Sequence, residues 1–309
     1  MDWKPAGWFS SGAGGAIQYF KGFPPLESHP PSAETPAKNS VFRNTVSRYG
    51  RWLILLALIA VLLLGLWAAP PGLLGKADAI GYAVCHRIDA RSFHLGDRQL
   101  PLCARCTGTF LGVIVGVAIL ILLGRGRSVV WPRRSVFAVL VFTAVPWGFD
   151  GVNSYAYLFP QLPHLYTPQN WLRLTTGTFL GLAMAAVFLP AVNQSLWKTG
   201  PVSPVLKNFR ELGLYFLAAP VLIGLVLLEN PIILYPLALL STFGVLYLLT
   251  GVYTALLLMV FRKENFAETL HDAWPVLVAG LTIGLLQIMA IDAVRMYFTH
   301  TWGGFNLGG

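Results

Sequence analysis

All three cysteines of this 309-residue chain, and two of its six histidines, fall in one short region. It reads Cys85-His86-Arg87-Ile88-Asp89-Ala90-Arg91-Ser92-Phe93-His94 and then Pro101-Leu102-Cys103-Ala104-Arg105-Cys106-Thr107-Gly108. Cys103 and Cys106 form a Cys-x-x-Cys pair, which offers two thiolates to one tetrahedral ion, and Cys85 supplies a third sulfur. His86 completes a four-ligand set. Ligands adjacent in sequence, such as Cys85 and His86, fit one ion awkwardly, so His94 stands as the alternative. Zinc is the ion this donor set favours. The same atoms also suit redox chemistry. Cys103 and Cys106 open a helix beside Arg105, where the helix dipole and the cation both stabilise a thiolate. A quinone-linked membrane thiol–disulfide oxidoreductase needs such a pair and a further cysteine to pass the disulfide on. Those enzymes commonly use four cysteines, and this chain has three. The third use is plain packing of a loop by small residues. All three readings stay open at this stage.

A second set of chemically capable residues is ionic. Asp150 closes an apolar run and Arg173 opens the next, so both belong near one membrane boundary. An ionisable group there is costly unless paired, which points to Asp150–Arg173 or Asp150–Arg105 as a structural pair, with an ion or substrate site as the rival and His164 as a neighbour to either. Asp292 and Arg295 are three apart on the final apolar run, share a helix face and are expected to pair with each other. No phosphate loop, Ser-His-Asp set, haem Cys-x-x-Cys-His or His-Glu-x-x-His motif occurs, so no catalytic residue is assigned.

The elements that hold these residues follow from composition. The chain is 55% hydrophobic and 11% charged, with a mean hydropathy of +0.62. Soluble domains carry about 25% charged residues, so a water-soluble two-domain enzyme is excluded. The expected fold is all-α: a polytopic transmembrane bundle in the lipid bilayer. Apolar runs at 52–69, 107–123, 135–149, 174–192, 212–228, 231–261 and 275–298 predict seven spans, the third short and the sixth long. The Cys/His region joins spans one and two. Residues 1–51, rich in Pro, Gly and Ser, read as an extended tail whose Trp3, Trp8, Phe9, Tyr19 and Phe20 suit contact with subunits of a larger membrane complex. Residues 52–195 form the membrane core and 196–309 add further helices.

The net charge of +9 reports topology and calls for no nucleic acid. With the N-terminus in the cytoplasm, 15 of the 22 Lys and Arg fall inside and 7 fall outside or in the membrane, which favours N-in, C-out. Tryptophans near the span ends, among them Trp52, Trp131, Trp171 and Trp274, form an aromatic belt. An internal echo adds a packing expectation. Thr-Gly-Thr-Phe-Leu-Gly recurs at 107–112 and 176–181, each with an arginine just upstream. Both spans run the same way across the membrane, and glycines four apart let helix backbones meet, so spans two and four are expected side by side as a parallel repeat.

His86, Arg91-Ser-Phe93, Gly96 and Pro-Leu-Cys-Ala-Arg-Cys-Thr-Gly at 101–108 resemble the signature of an uncharacterised prokaryotic integral-membrane family. Asp150-Gly-x-Asn153 and Asn170-x-x-Arg173-x-x-x-Gly177 fit its pattern too. The resemblance covers about residues 75–195 and implies a multi-pass protein of a prokaryotic cytoplasmic membrane; it implies no activity. The orientation has a direct test. In intact cells an impermeant thiol reagent should reach Cys103 or Cys106, with denaturing controls for protected thiols; labelling confined to lysed cells would reverse the topology.

Overall fold

The computed structural model describes residues 37–159 and 161–303, with side chains from Tyr49 onward. Its contacts divide the chain into Met1–Val46 and Ser47–Gly309, and all that follows concerns the second unit apart from one helix boundary. The tail aromatics lie outside the described residues.

Among the described residues ten helices run in order: α1 (Ala37–Ala68), α2 (Leu73–Val84), α3 (Ala104–Leu122), α4 (Arg134–Phe142), α5 (Ala144–Ala156), α6 (Asn170–Leu196), α7 (Phe209–Phe216), α8 (Ala218–Leu227), α9 (Pro231–Val260) and α10 (Leu270–Thr299). Taken as α1, α3, α4–α5, α6, α7–α8, α9 and α10, they give seven helices long and apolar enough to cross a membrane. Two expectations need correction. The extended tail drawn over 1–51 gives way to helix at Ala37, directly after the last proline of that stretch, Pro36, because no later residue there lacks a backbone donor. The third span is not short: it runs from Arg134 to Ala156. Hydropathy ends it early because Asp150, Asn153 and Ser154 are polar, yet all three are buried on its inward face.

Spans three and five are each broken once, at Thr143 and at Leu217. A proline follows three residues after each break, Pro146 and Pro220, and removes the donor that would continue the hydrogen-bond ladder. Thr143 Oγ1 donates instead to Leu140 O at 2.6 Å. At the cysteine end of the bundle Asn230 caps α9 by accepting from Ile232 N, and at the opposite end Asn208 caps α7 by accepting from Glu211 N. Arg125 grips Glu211 there with two bonds of 2.7 and 2.9 Å.

The centre of the molecule is the α3–α6 contact. The partners advance together along both helices, Gly108 with Leu174 and Thr178, Gly112 with Gly181 and Leu182, Gly116 with Ala185, so the helices run parallel. The contacts are reciprocal: Gly112 packs on Thr178 and Gly181, while Gly181 packs on Thr109 and Gly112. A Cβ on Gly112 would come 2.6 Å from Thr178 O, nearer than real atoms approach, and 3.1 Å from Gly181 Cα. Only glycine admits this backbone approach, as the repeated hexapeptide predicts. Gly108→Leu and Gly177→Leu should each lower stability by about 1–3 kcal/mol or more through overpacking. Gly224→Leu, with open space at its Cβ, should change little. Thermal unfolding in detergent compares them.

Candidate metal centre

Between α2 and α3 the chain forms no span. It leaves α2 at Cys85, turns at Arg87, passes a 3-10 turn (Asp89–Arg91) and a small hairpin of β1 (His94–Leu95) and β2 (Arg98–Gln99), then enters α3 at Cys103. Arg87 adopts φ 49°, the left-handed region uncommon for a residue with a Cβ, and this reverses the chain just after His86. Its guanidinium holds the turn, donating to Asp78 Oδ1 at 3.0 Å and Trp302 O at 3.1 Å. Asp78 also accepts from Arg98 at 2.6 Å, which pins the hairpin to α2. Gly81 lies directly on the Pro101 carbonyl, so α2 and the segment entering α3 meet without an intervening side chain.

The result is convergence. The sulfurs of Cys85, Cys103 and Cys106 lie within 4.8 Å of one another, and Cys103 N–H donates to Cys85 Sγ at 3.3 Å. Cys85 and Cys103 are buried, Cys106 is half-buried, and all three are free thiols. Leu102, Val245, Ile80 and Phe110 wall them in. Hydrogen bonds from the Cys103 and Cys106 thiols hold the Cys85 thiol well below its ordinary value, against the effect of burial. Cys103 gains some thiolate support from Cys106, but its bond to Cys85 and its burial push it up to about 12. One sulfur is therefore poised as the first thiolate, with the other two as donors to it.

No histidine nitrogen among the described residues lies within 4.8 Å of all three sulfurs. His86 is adjacent, but its Nδ1 accepts from Ile88 N–H at 3.0 Å. Burial lowers its pKa, and the guanidiniums of Arg91, Arg105 and Arg173 act in the same direction. His94 faces away in the hairpin, its Nε2 2.9 Å from Asp89 Oδ1.

The ionic residues assemble beside the sulfurs. Arg105, one residue before Cys106, pairs with Asp150 Oδ2 and donates to Ser154 Oγ at 3.2 Å. Arg173 bonds Asn170 Oδ1 at 2.8 Å and Ser154 Oγ at 3.4 Å, so it shares Ser154 with Arg105 rather than bonding the carboxylate itself. Arg91 donates to Ser154 O at 2.6 Å. Three guanidiniums thus gather on Ser154 around a single carboxylate. His164 meets the Tyr157 ring edge-on and bonds none of these groups among the described residues. In its place Tyr166 donates to Asp150 Oδ1 at 2.7 Å; burial, and then that bond, push its hydroxyl up to about 12. Ser154 and Tyr166 were missed in the sequence. The spacing Asp150-x-x-x-Ser154, one turn apart on the same helix face, was the available signal for Ser154; none existed for Tyr166.

From the last span, Arg295 reaches over the same loop. It donates to the carbonyls of Tyr82 and Cys85, the latter at 2.7 Å, and lies 3.9 Å over the Tyr82 ring. Asp292, expected beside it, lines a separate cavity against α1.

Residues 85–187 match a family described as predicted membrane protein (DUF2085). An uncharacterised protein of Methanocaldococcus jannaschii is 28% identical over 120 residues, 39% of this chain and 70% of that protein. Another, from Methanothermobacter thermautotrophicus, is 29% identical over 104 residues, 34% of this chain and 83% of that protein. No solved structure matches. The resemblance expected from the cysteine octapeptide is borne out over this stretch, which holds all three cysteines and the whole arginine cluster.

Asp150 carries the ionic cluster, and its removal leaves buried guanidiniums without a counter-charge. Asp150→Ala should cost about 3–5 kcal/mol, the range for breaking a buried pair. Tyr166→Phe should cost about 1 kcal/mol. Unfolding temperature in detergent separates the two, and equal effects would remove Asp150 from its central place.

Proposed function

We propose, from the premise of a multi-pass protein akin over its signature region to predicted membrane proteins, that this chain holds a thiolate-bound metal ion at the outer face of a prokaryotic cytoplasmic membrane. Zinc is the ion proposed. The observation that carries the reading is the meeting of three sulfurs within 4.8 Å, from residues up to 21 positions apart, in a loop whose turns are individually pinned. Sulfurs on one tetrahedral zinc stand about 3.8 Å apart, given a bond of about 2.3 Å, so the cluster needs only a small contraction. Charge supports it as well. Arg91, Arg105 and Arg173 gather on Ser154 with more positive charge than Asp150 balances. Thiolates at the cysteines supply the missing negative charge.

Cys85, Cys103 and Cys106 would hold the ion. His86 would complete the shell by turning its ring from the Ile88 amide, with His94 as the more distant alternative. A closed four-ligand shell makes such an ion structural, whereas a shell open at the fourth position activates bound water. In either case the positive charge gathered at Ser154 would favour thiolates over thiols. Arg295 satisfies the loop carbonyls that lipid would leave unbonded.

Elemental analysis of the purified protein, with a thiol count under denaturing and chelating conditions, tests this. One zinc per chain and three thiols are expected, with Cys85→Ser losing the metal and His86→Ala retaining it more weakly. No metal and one thiol would assign the cysteines to disulfide exchange, the quinone-linked reading. No metal and three thiols would leave packing alone.

A further inference from the structure

A cavity of about 660 Å³ opens between α1, α2, α9 and α10, at the same end of the bundle as the cysteines but beyond their wall. Its volume falls within the range of about 300–1,000 Å³ typical of small-molecule sites. Val61, Gly65 and Ala68 of α1 face Ile288, Met289 and Met296 of α10 across it. α1 is the least buried of the spans, and it meets α10 closely at Gly65, where a Cβ would lie 3.5 Å from Met289 Sδ. Two polar side chains interrupt the apolar lining: Lys76 at the rim and Asp292 deeper in. Lys76 Nζ already donates to Ala69 O at 2.8 Å and to Leu66 O, capping the end of α1. Asp292 is 7% exposed, and its Oδ1 has no hydrogen-bond partner among the described residues.

A buried carboxyl oxygen without a partner in a membrane span is costly, and such residues mark ligand sites by default. Here the residue that carries it lines an apolar cavity large enough to hold a donor to its carboxyl group. We propose that this cavity binds one lipid amphiphile whose neutral head carries a hydroxyl group, with the O–H donated to Asp292 and the apolar body lying along α1.

Depth and charge fix the class. Asp292 lies seven residues before the end of α10, about 10 Å along the helix at 1.5 Å per residue. A phosphodiester head held at the membrane surface would not reach that far, and its charge would oppose the carboxylate. The stretch from Val61 to Ala69 spans about 12 Å, close to one leaflet of about 15 Å, so an acyl or isoprenoid chain fits alongside. Hydroxyl-headed lipids of two sources share this chemistry: diacylglycerol-type alcohols and isoprenoid hydroquinones. Ile80 lines the cavity and also packs against the cysteines, so the head would lie one side chain from the sulfur cluster.

Native mass spectrometry of the intact protein in a nonionic detergent tests the proposal. Four probes are titrated: dioctanoylglycerol, its acetate ester, decylubiquinol and its dimethyl ether. At least one hydroxylated probe should bind about tenfold or more tightly than its blocked partner, and the one that does identifies the source. Asp292→Leu should abolish that preference while leaving weak binding of the blocked probe. Ala293→Leu, which fills the cavity from an exposed position without touching the carboxyl, should weaken both members of the pair. Equal binding of hydroxylated and blocked probes by the wild-type protein would overturn the proposal. So would unchanged binding by Ala293→Leu, or stronger retention of phosphatidylcholine than of either hydroxylated probe.

Discussion

Two helix backbones in direct contact set the positions of everything else in this protein. Where Gly112 of α3 lies on Gly181 of α6, no side chain separates the helices, so their register and depth are fixed together. In lipid there is little hydrophobic force between helices, and close backbone packing provides much of the association. Because both helices carry the same hexapeptide and run parallel, their upstream arginines arrive at similar depth. Arg105 and Arg173 then converge on Ser154 of α5, and Asp150, one turn earlier, meets Arg105. The third span is held to the repeat by this polar contact, which also explains why it continues as helix beyond its apolar run.

The loop before α3 poses the opposite problem. Lipid offers no partner for irregular backbone, so the carbonyls around Cys85 need donors from the protein itself. Arg295 supplies them from the far end of the sequence, and Arg87 with Gln99 ties the remaining turns, Gln99 Nε2 donating to Arg87 O at 2.9 Å. The three thiols bond one another, the Cys103 amide adds a bond to Cys85, and the turns that carry them are held by other groups. A rigid frame around reactive groups is what a metal centre requires, since ligands already in place lose little freedom on binding.

The cavity against α1 differs from this frame in kind. α3, α6 and the cysteine loop are joined by backbone contact and buried ionic bonds, whereas α1 stands at ordinary contact distance from α10 at Gly65 and leaves space beside it. Two regions of unequal tightness therefore share one wall at Ile80. The matched family stretch, residues 85–187, contains the tight region, while α1 and α10 lie outside it.

The sequence by itself determined the membrane class, the seven spans and the pairing of spans two and four, because hydropathy and small-residue spacing are local properties that lipid reads directly. It also marked the cysteine region, since rare residue types clustered within two dozen positions are visible without any fold. Residue spacing did not reveal that Ser154 would gather three arginines, that Tyr166 rather than His164 would meet Asp150, or that Arg295 would hold the loop carbonyls. Those contacts join residues on different helices, and which side chains face one another depends on the rotation of each helix about its own axis. That rotation was decided only when the glycine contact brought the backbones together, so the partners of every buried charge belong to the tertiary structure.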